Sequence, residues 1–123
     1  IGDFCSKQGL QVVITGTQDE MDIVHNVTQL MAHKPIIAAG KTSLGAVAVL
    51  IQNAAALISN CTGVSHIAAA LKTKSIVISL DGEPFRWGPM NKTLHKTIDW
   101  TVTQDLDLVK REMFELLGFG VNV

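Results

Sequence analysis

In residues 55–70, AALISNCTGVSHIAAA, a pattern typical of a buried strand is followed directly by the start of a helix. The apolar run ends at Ser59, and short apolar runs of this kind are typical of strands in parallel sheets. The Thr62 hydroxyl suits a helix N-cap, and Gly63 lets the backbone approach a ligand closely. The small residues Ala68–Ala70 allow the helix to lie close to a sheet. The stretch therefore predicts a strand, a turn and a helix in succession.

The same alternation continues along most of the chain. Runs rich in valine and isoleucine predict strands at Gln11–Thr15, Pro35–Ala38, Ala56–Ser59 and Ser75–Ser79. Helical spacing of apolar residues predicts helices at Gln18–Ala32, Ser43–Asn53, Val64–Leu71 and Gln104–Leu117, with Gly118 as a stop. The third helix is apolar almost all round, so we expect it to be buried. Strands that alternate with helices predict an α/β fold, a parallel sheet with helices on both faces.

Composition and charge narrow the class of protein. The chain has 123 residues and a formal net charge of −1, so no basic surface for nucleic acid is predicted. No apolar run reaches the roughly 18 residues that a transmembrane helix needs. Its two cysteines lack a Cys-x-x-Cys spacing, which fits a reducing compartment. The chain begins at Ile1 rather than Met, and we expect it to be a piece of a longer protein.

The loops after the strands are the expected ligand site, because open parallel sheets bind ligands beyond the carboxyl ends of their strands. The loops concerned are Gly16–Glu20, Ala39–Ser43, Asn60–His66 and Leu80–Pro89. The long irregular stretch Asp81–Leu94 is either a functional loop or a surface connection at one edge of the sheet.

One of these loops contains a misleading motif. Gly40-Lys41-Thr42-Ser43 resembles the end of a phosphate-binding P-loop. That motif requires an earlier glycine where this chain has Pro35, so a P-loop is not predicted.

The helix start after Thr62 is the stronger candidate for binding phosphate. Unpaired amides of Gly63, Val64 and Ser65 are expected to point outward at a helix N-terminus, where the helix dipole favours an anion. His66 lies in the first turn and can donate to a phosphate oxygen. It can equally be a core histidine paired with a backbone carbonyl.

Four blocks, taken in order, resemble the ADP-heptose:lipopolysaccharide heptosyltransferases. The family has a strand followed by Thr-Gly and an acidic stretch, a Ser-Leu helix start, a pattern close to Ser-Asn-Asp-Thr-Gly-Pro-Met-His-Leu-Ala-Ala-Ala, and a Pro-x-Arg-Trp-Gly-Pro loop. The matching blocks are Val12–Glu20, Gly40–Leu44, Ser59–Ala70 and Pro84–Pro89. The resemblance spans most of the chain.

The resemblance implies a GT-B glycosyltransferase, in which two Rossmann-like domains face each other across a cleft. Residues 1–123 correspond to the C-terminal, donor-binding domain, without that domain's first strand. The missing N-terminal half binds the acceptor and supplies the catalytic base, so this chain holds no catalytic residue and is inactive alone. The resemblance further implies a nucleotide-sugar co-substrate, ADP-linked in this family, and no metal or other cofactor.

Site residues carry over position by position. Glu20 corresponds to the acidic residue that binds the ribose hydroxyls, with Asp19 as a rival and a helix-start carboxylate as the plain alternative. Thr42 corresponds to a contact near the adenine. The nucleotide-sugar site implied by the resemblance comprises Glu20, Thr42, Cys61, Thr62, Gly63, Val64 and His66.

Cys61 departs from the family, which has an aspartate between Asn and Thr. A thiol carries no negative charge there unless its pKa falls well below about 8.5. Cys61 is therefore either a reactive thiol or a small packed residue. Two further departures are Val64-Ser65 in place of Pro-Met, and Leu80-Asp81-Gly82 in place of Gly-Pro-Thr.

The resulting functional hypothesis is the donor-binding domain of an inverting glycosyltransferase that transfers a heptose-like sugar to lipopolysaccharide or another surface glycan. Its expected partners are the nucleotide sugar and, through the N-terminal domain, a glycan or lipid-linked acceptor. The expected location is the cytoplasm, with peripheral association at the inner face of the cytoplasmic membrane. The alternatives are a degenerate nucleotide-binding domain, half of a sugar-nucleotide epimerase, and a structural domain that only packs against a partner.

Overall fold

The computed structural model describes residues 1–82 and 91–118. The helices are α1 (Gly2–Lys7), α2 (Met21–Leu30), α3 (Leu44–Asn53), α4 (Gly63–Ala70) and α5 (Leu106–Leu117), with a 3-10 turn at Gln18–Glu20. The strands are β1 (Val13–Ile14), β2 (Ile36–Ile37), β3 (Leu57–Asn60), β4 (Ser75–Ser79) and β5 (His95–Asp99). The chain divides into two compact units, Ile1–Val47 and Ala48–Val123. The predicted Pro84–Pro89 loop lies outside the described residues.

The first unit contains a short parallel pair of strands. β1 and β2 pair with Val13 opposite Ile36, and both strands are shorter than the apolar runs predicted. The Asp3 carboxylate joins α1 to the turn after α2, because it accepts hydrogen bonds from the backbone N–H groups of Ala32 (3.0 Å) and His33 (2.9 Å). These donors, His33 first, hold the pKa of Asp3 below its ordinary value. The buried apolar residues of this unit are Cys5, Val24, Met31 and Ala39.

The second unit contains a parallel sheet in the order β3-β4-β5. The central strand β4 is the core, since Ile76 and Val77 are both 0% exposed. α4 packs against β3 and β4, and α5 packs against β4. Parallel strands flanked by helices confirm the predicted α/β class.

α5 has a defined start and end. The Asp105 side chain accepts a hydrogen bond from the backbone N–H of Asp107 at 2.9 Å, which is an N-cap. Gly118 follows the helix in the left-handed conformation, with φ of 71°, and this confirms the predicted stop. Its apolar face is buried through Val109, Met113 and Leu116.

Two features of the second unit differ from the sequence predictions. β5 was not predicted, because its sequence His-Lys-Thr-Ile-Asp lacks an apolar run. α4 is not buried all round, since Ser65 and Ala68 are buried whereas His66 is exposed. α4 therefore packs one face against the sheet, and its opposite face is exposed to solvent.

Candidate functional site

The start of α4 is positioned by the edge of the second sheet. Asn60 lies opposite Ile78 in the β3–β4 register, and the backbone N–H of Cys61 donates to the Ile78 carbonyl at 3.2 Å. Thr62 then adopts an extended conformation, with φ of −134° and ψ of −174°. α4 begins at the next residue, Gly63. The backbone therefore turns from strand to helix directly beyond the carboxyl end of β3, as the sequence predicts.

The predicted side-chain cap at Thr62 is wrong, because its hydroxyl makes no capping hydrogen bond. Ser65 stabilises the first turn instead. Its hydroxyl donates to the Thr62 carbonyl at 2.6 Å, and its backbone N–H donates to the same oxygen at 3.0 Å. Ser65 is 0% exposed, so this contact is shielded from water. Sequence reasoning missed it because the threonine stood at the usual capping position.

The first two amides of α4 remain available. Within the part of the chain that the structure describes, no backbone acceptor is found for the N–H groups of Gly63 and Val64, as expected for the first residues of a helix. The Ser65 amide is occupied, so two of the three predicted donors remain. A Cβ atom added at Gly63 would have no heavy atom within 4 Å. The helix start is therefore open to a ligand on the side of Gly63.

The side chains around this turn differ in exposure. Thr62 and His66 are exposed, and Cys61 and Val64 are half-buried. Exposure of His66 contradicts the alternative of a core histidine. Cys61 stands at the junction of β3 and α4. The second unit thus brings Cys61, Thr62, Gly63, Val64 and His66 into one continuous turn.

In the first unit, the Glu20 carboxylate closes the turn that precedes α2. Its Oε1 accepts hydrogen bonds from the Thr17 backbone N–H (2.8 Å) and hydroxyl (3.0 Å). These two donors, the backbone N–H first, lower the pKa of Glu20. The arrangement is a capping box, so the plain alternative of a helix-start carboxylate has a defined geometry. Because both bonds end on Oε1, they leave Oε2 as an acceptor for a ligand hydroxyl.

Thr42 lies on the loop that follows β2. This loop is fixed at Gly40, whose N–H donates to the Gly16 carbonyl at 2.9 Å. Gly40 has φ of 71°, a left-handed conformation that favours glycine, and a Cβ there would lie 2.5 Å from Gln18 Oε1, so the Gln18 side chain would have to shift. The Thr42 Oγ1 atom is buried and has no hydrogen-bond partner among the described residues. Glu20 and Thr42 therefore lie on loops that follow the adjacent strands β1 and β2.

A carboxylate at the end of β4 was not among the predicted site residues. Ser79 is buried, and its hydroxyl donates to Asp81 Oδ1 at 3.0 Å. Asp81 itself is exposed. The signal that could have found it is an acidic residue directly beyond the carboxyl end of a buried strand.

Residues 1–82 and 91–118 hold no group of three or more histidine, cysteine, aspartate or glutamate side chains that could bind a metal ion. Over the same residues, no helix combines the length and the apolar character needed to cross a bilayer.

Comparison with known proteins places these features in a family context. The sequence model of glycosyltransferase family 9 (heptosyltransferase) matches residues 1–116. No curated protein matches the chain.

A solved structure is also similar to this one. It is the crystal structure of the glycosyl transferase family 9 from Veillonella parvula DSM 2008, with a TM-score of 0.75, 24% sequence identity and 93% of this chain covered. The chain spans 32% of the length of that protein. At this identity the likeness supports the α/β fold alone.

Proposed function

The chain belongs to glycosyltransferase family 9, and from that premise we propose that residues 1–123 are the donor-binding domain of a two-domain, inverting glycosyltransferase. The transferred group is a heptose-like sugar carried by a nucleoside diphosphate, with ADP favoured by the resemblance. The acceptor is lipopolysaccharide or another surface glycan, bound by the N-terminal domain. The full-length enzyme acts in the cytoplasm, at the inner face of the cytoplasmic membrane.

The observation that carries this proposal is the open start of α4. The N–H groups of Gly63 and Val64 are unpaired by the backbone, and Gly63 leaves room for a ligand. A helix N-terminus stabilises anions through these amides and through the helix dipole. A diphosphate suits this position, with the exposed His66 side chain as a further donor.

The same contacts have a role in the chemistry. Glycosyl transfer requires a base that takes the acceptor proton, and stabilisation of the departing diphosphate as its negative charge grows. The α4 start supplies the second requirement with backbone dipoles that are already in place. The N-terminal domain supplies the base, which takes the proton of the acceptor hydroxyl. The acceptor oxygen then bonds to the anomeric carbon from the face opposite the diphosphate, the bond from that carbon to the diphosphate oxygen breaks, and the configuration is inverted. Residues 1–123 alone are therefore inactive.

The family resemblance assigns the ribose and base contacts to Glu20 and Thr42. Oε2 of Glu20 accepts hydrogen bonds from the ribose hydroxyls while Oε1 keeps the Thr17 cap. Thr42 packs near the base. The family resemblance implies no metal ion, and in this scheme the amides and His66 hold the diphosphate.

The experiment that tests the proposal is a transfer assay with the full-length protein. ADP-heptose is incubated with a lipopolysaccharide acceptor that lacks heptose, and both ADP release and heptose incorporation are measured. Product that carries heptose, formed in step with ADP, is the expected result. ADP release without incorporation would indicate hydrolysis and contradict the proposed acceptor.

A second candidate function is a degenerate domain that binds the nucleotide and transfers nothing. Cys61 favours it, since this position lacks the carboxylate that the heptosyltransferase pattern has. Binding of ADP-heptose without turnover on any acceptor would select this candidate over the first.

A further inference from the structure

Ser79 is a buried polar residue at the end of the central strand. Ser79 is 1% exposed. Burying a hydroxyl costs free energy that an apolar side chain at the same position would not. Its hydroxyl donates to Asp81 Oδ1 at 3.0 Å. The buried serine thus holds an exposed carboxylate against the end of β4.

The segment that carries this carboxylate leaves the same edge of the sheet as the α4 start. β3 and β4 are parallel neighbours, and the Cys61 N–H donates to the Ile78 carbonyl at 3.2 Å. Neighbouring strands are about 4.8 Å apart. The turn that begins α4 and the segment that carries Asp81 therefore leave adjacent strands at the same edge of one sheet, within the second unit.

Among the described residues, a second carboxylate at this edge has a different role. Asp99 lies opposite Ser79 in the register of β4 and β5. Its Oδ1 accepts hydrogen bonds from both the N–H and the hydroxyl of Thr101. Asp99 is half-buried and holds its own turn, whereas Asp81 is exposed. Asp81 is thus the better placed of the two for contact with a ligand.

The two neighbouring strand ends offer opposite chemistry. Amides at the α4 start attract phosphate, whereas a carboxylate repels phosphate and accepts strong hydrogen bonds from hydroxyl groups. In a nucleotide sugar the group attached to the diphosphate is the hydroxyl-rich sugar. We propose that Asp81 accepts hydrogen bonds from hydroxyls of the donor sugar and so selects which sugar is bound. This inference rests on the proposed donor site at α4.

Calorimetry on the full-length protein with two probes, ADP and ADP-heptose, tests the inference. Asp81→Ala is expected to leave the ADP affinity within about twofold and to weaken ADP-heptose about tenfold, as for one hydrogen bond to a charged group. Asp81→Asn keeps one acceptor oxygen and should weaken ADP-heptose less. The matched control is Asp107→Asn, since the Asp107 side chain is 79% exposed on α5, and it should change neither affinity.

Ser79→Ala provides a second variant, because it keeps the carboxylate and removes the hydroxyl that orients it. A selective but smaller loss of ADP-heptose affinity is expected. Equal losses for both probes in the Asp81 variants would show a structural role and overturn the inference, as would no loss for either. If the wild-type protein binds neither probe, the proposed donor site fails first and the inference with it, which is a distinguishable result.

Discussion

Ser75 Oγ and His95 Nδ1 form a 2.7 Å hydrogen bond across the buried face between β4 and β5. Ser75 is 0% exposed and His95 is 1% exposed. Burial, followed by the charge of Lys92, lowers the pKa of His95 below its ordinary value of 6.5. The imidazole is therefore neutral in the folded protein near pH 7.

The first prediction concerns the pH dependence of stability. The unfolded chain binds a proton at His95 near pH 6.5, whereas the folded protein does so only at lower pH. Between these two values the unfolded state binds more protons, so the free energy of unfolding should fall as the pH falls. Urea unfolding from pH 5.5 to 7.5 measures this, a range that lies above the window of Asp3 and Glu20. His95→Gln should flatten the slope. An unchanged slope in His95→Gln would contradict the assignment.

The second prediction separates the two hydroxyls at the α4 start. Ser65→Ala removes the hydrogen bond to the Thr62 carbonyl and should lower the free energy of unfolding by about 1 kcal/mol. Thr62→Ala removes a hydroxyl that makes no cap and should cost clearly less. Denaturant titration of both variants provides the comparison. A larger cost for Thr62→Ala would restore the conventional cap.

The third prediction tests the phosphate role of the turn. ADP should bind the full-length protein at least about tenfold more tightly than adenosine, because charge-assisted hydrogen bonds to phosphate are made only by ADP. Gly63→Val should remove that difference without loss of fold, because a Cβ at Gly63 meets no protein atom within 4 Å. Gly45→Val, on the open surface of α3, is the control. Equal affinities for ADP and adenosine in the wild-type protein would reject the phosphate site.

The fourth prediction separates the two roles of Glu20. Gln also serves at this position of a capping box, so Glu20→Gln should leave the thermal midpoint close to that of the wild-type protein. Loss of the charge should weaken ADP several-fold, and should weaken 2′,3′-dideoxy-ADP much less. Calorimetry with the two nucleotides measures the contrast. Equal effects on both would mean that Glu20 only caps the turn.

The fifth prediction addresses Cys61. Cys61→Asp in the full-length protein should raise the rate of transfer from ADP-heptose, if cysteine is a degenerate replacement. The assay follows heptose incorporation, with Cys5→Ser as the control for a thiol elsewhere. A loss of transfer on introducing the carboxylate would indicate that the thiol is adapted to a different donor.

The parts of the structure that were predicted correctly are those determined by residues close together in the sequence. The strand–turn–helix at Ser59–Ala70 has a strong pattern, and so does the stop at Gly118. β5 was missed because one of its two buried residues, His95, is polar. A histidine can be buried there because it forms a hydrogen bond with Ser75 on the neighbouring strand, which the sequence pattern does not show. Ser65 was missed because its hydroxyl donates to the Thr62 carbonyl, whereas the usual capping pattern looks for a side chain that accepts from a helix-start amide.

The candidate site was predicted less completely than the fold. Cys61, Thr62, Gly63, Val64 and His66 lie in one turn, as residues that are adjacent in sequence must. The contribution of Asp81 depends on the pairing of β3 with β4, which sequence patterns do not reveal.

The central position of β4 has a consequence for motion. Among the described strands it alone is paired on both sides, and its interior residues Ile76 and Val77 are fully buried. Amide hydrogens of such a strand exchange with solvent only in large-scale openings, so they are expected to be the last to exchange in this unit. The α4 turn is attached to this strand through Ile78, and Asp81 through Ser79. The proposed phosphate and sugar contacts are therefore anchored to the slowest-exchanging segment, and this part of the site keeps its shape between successive rounds of binding.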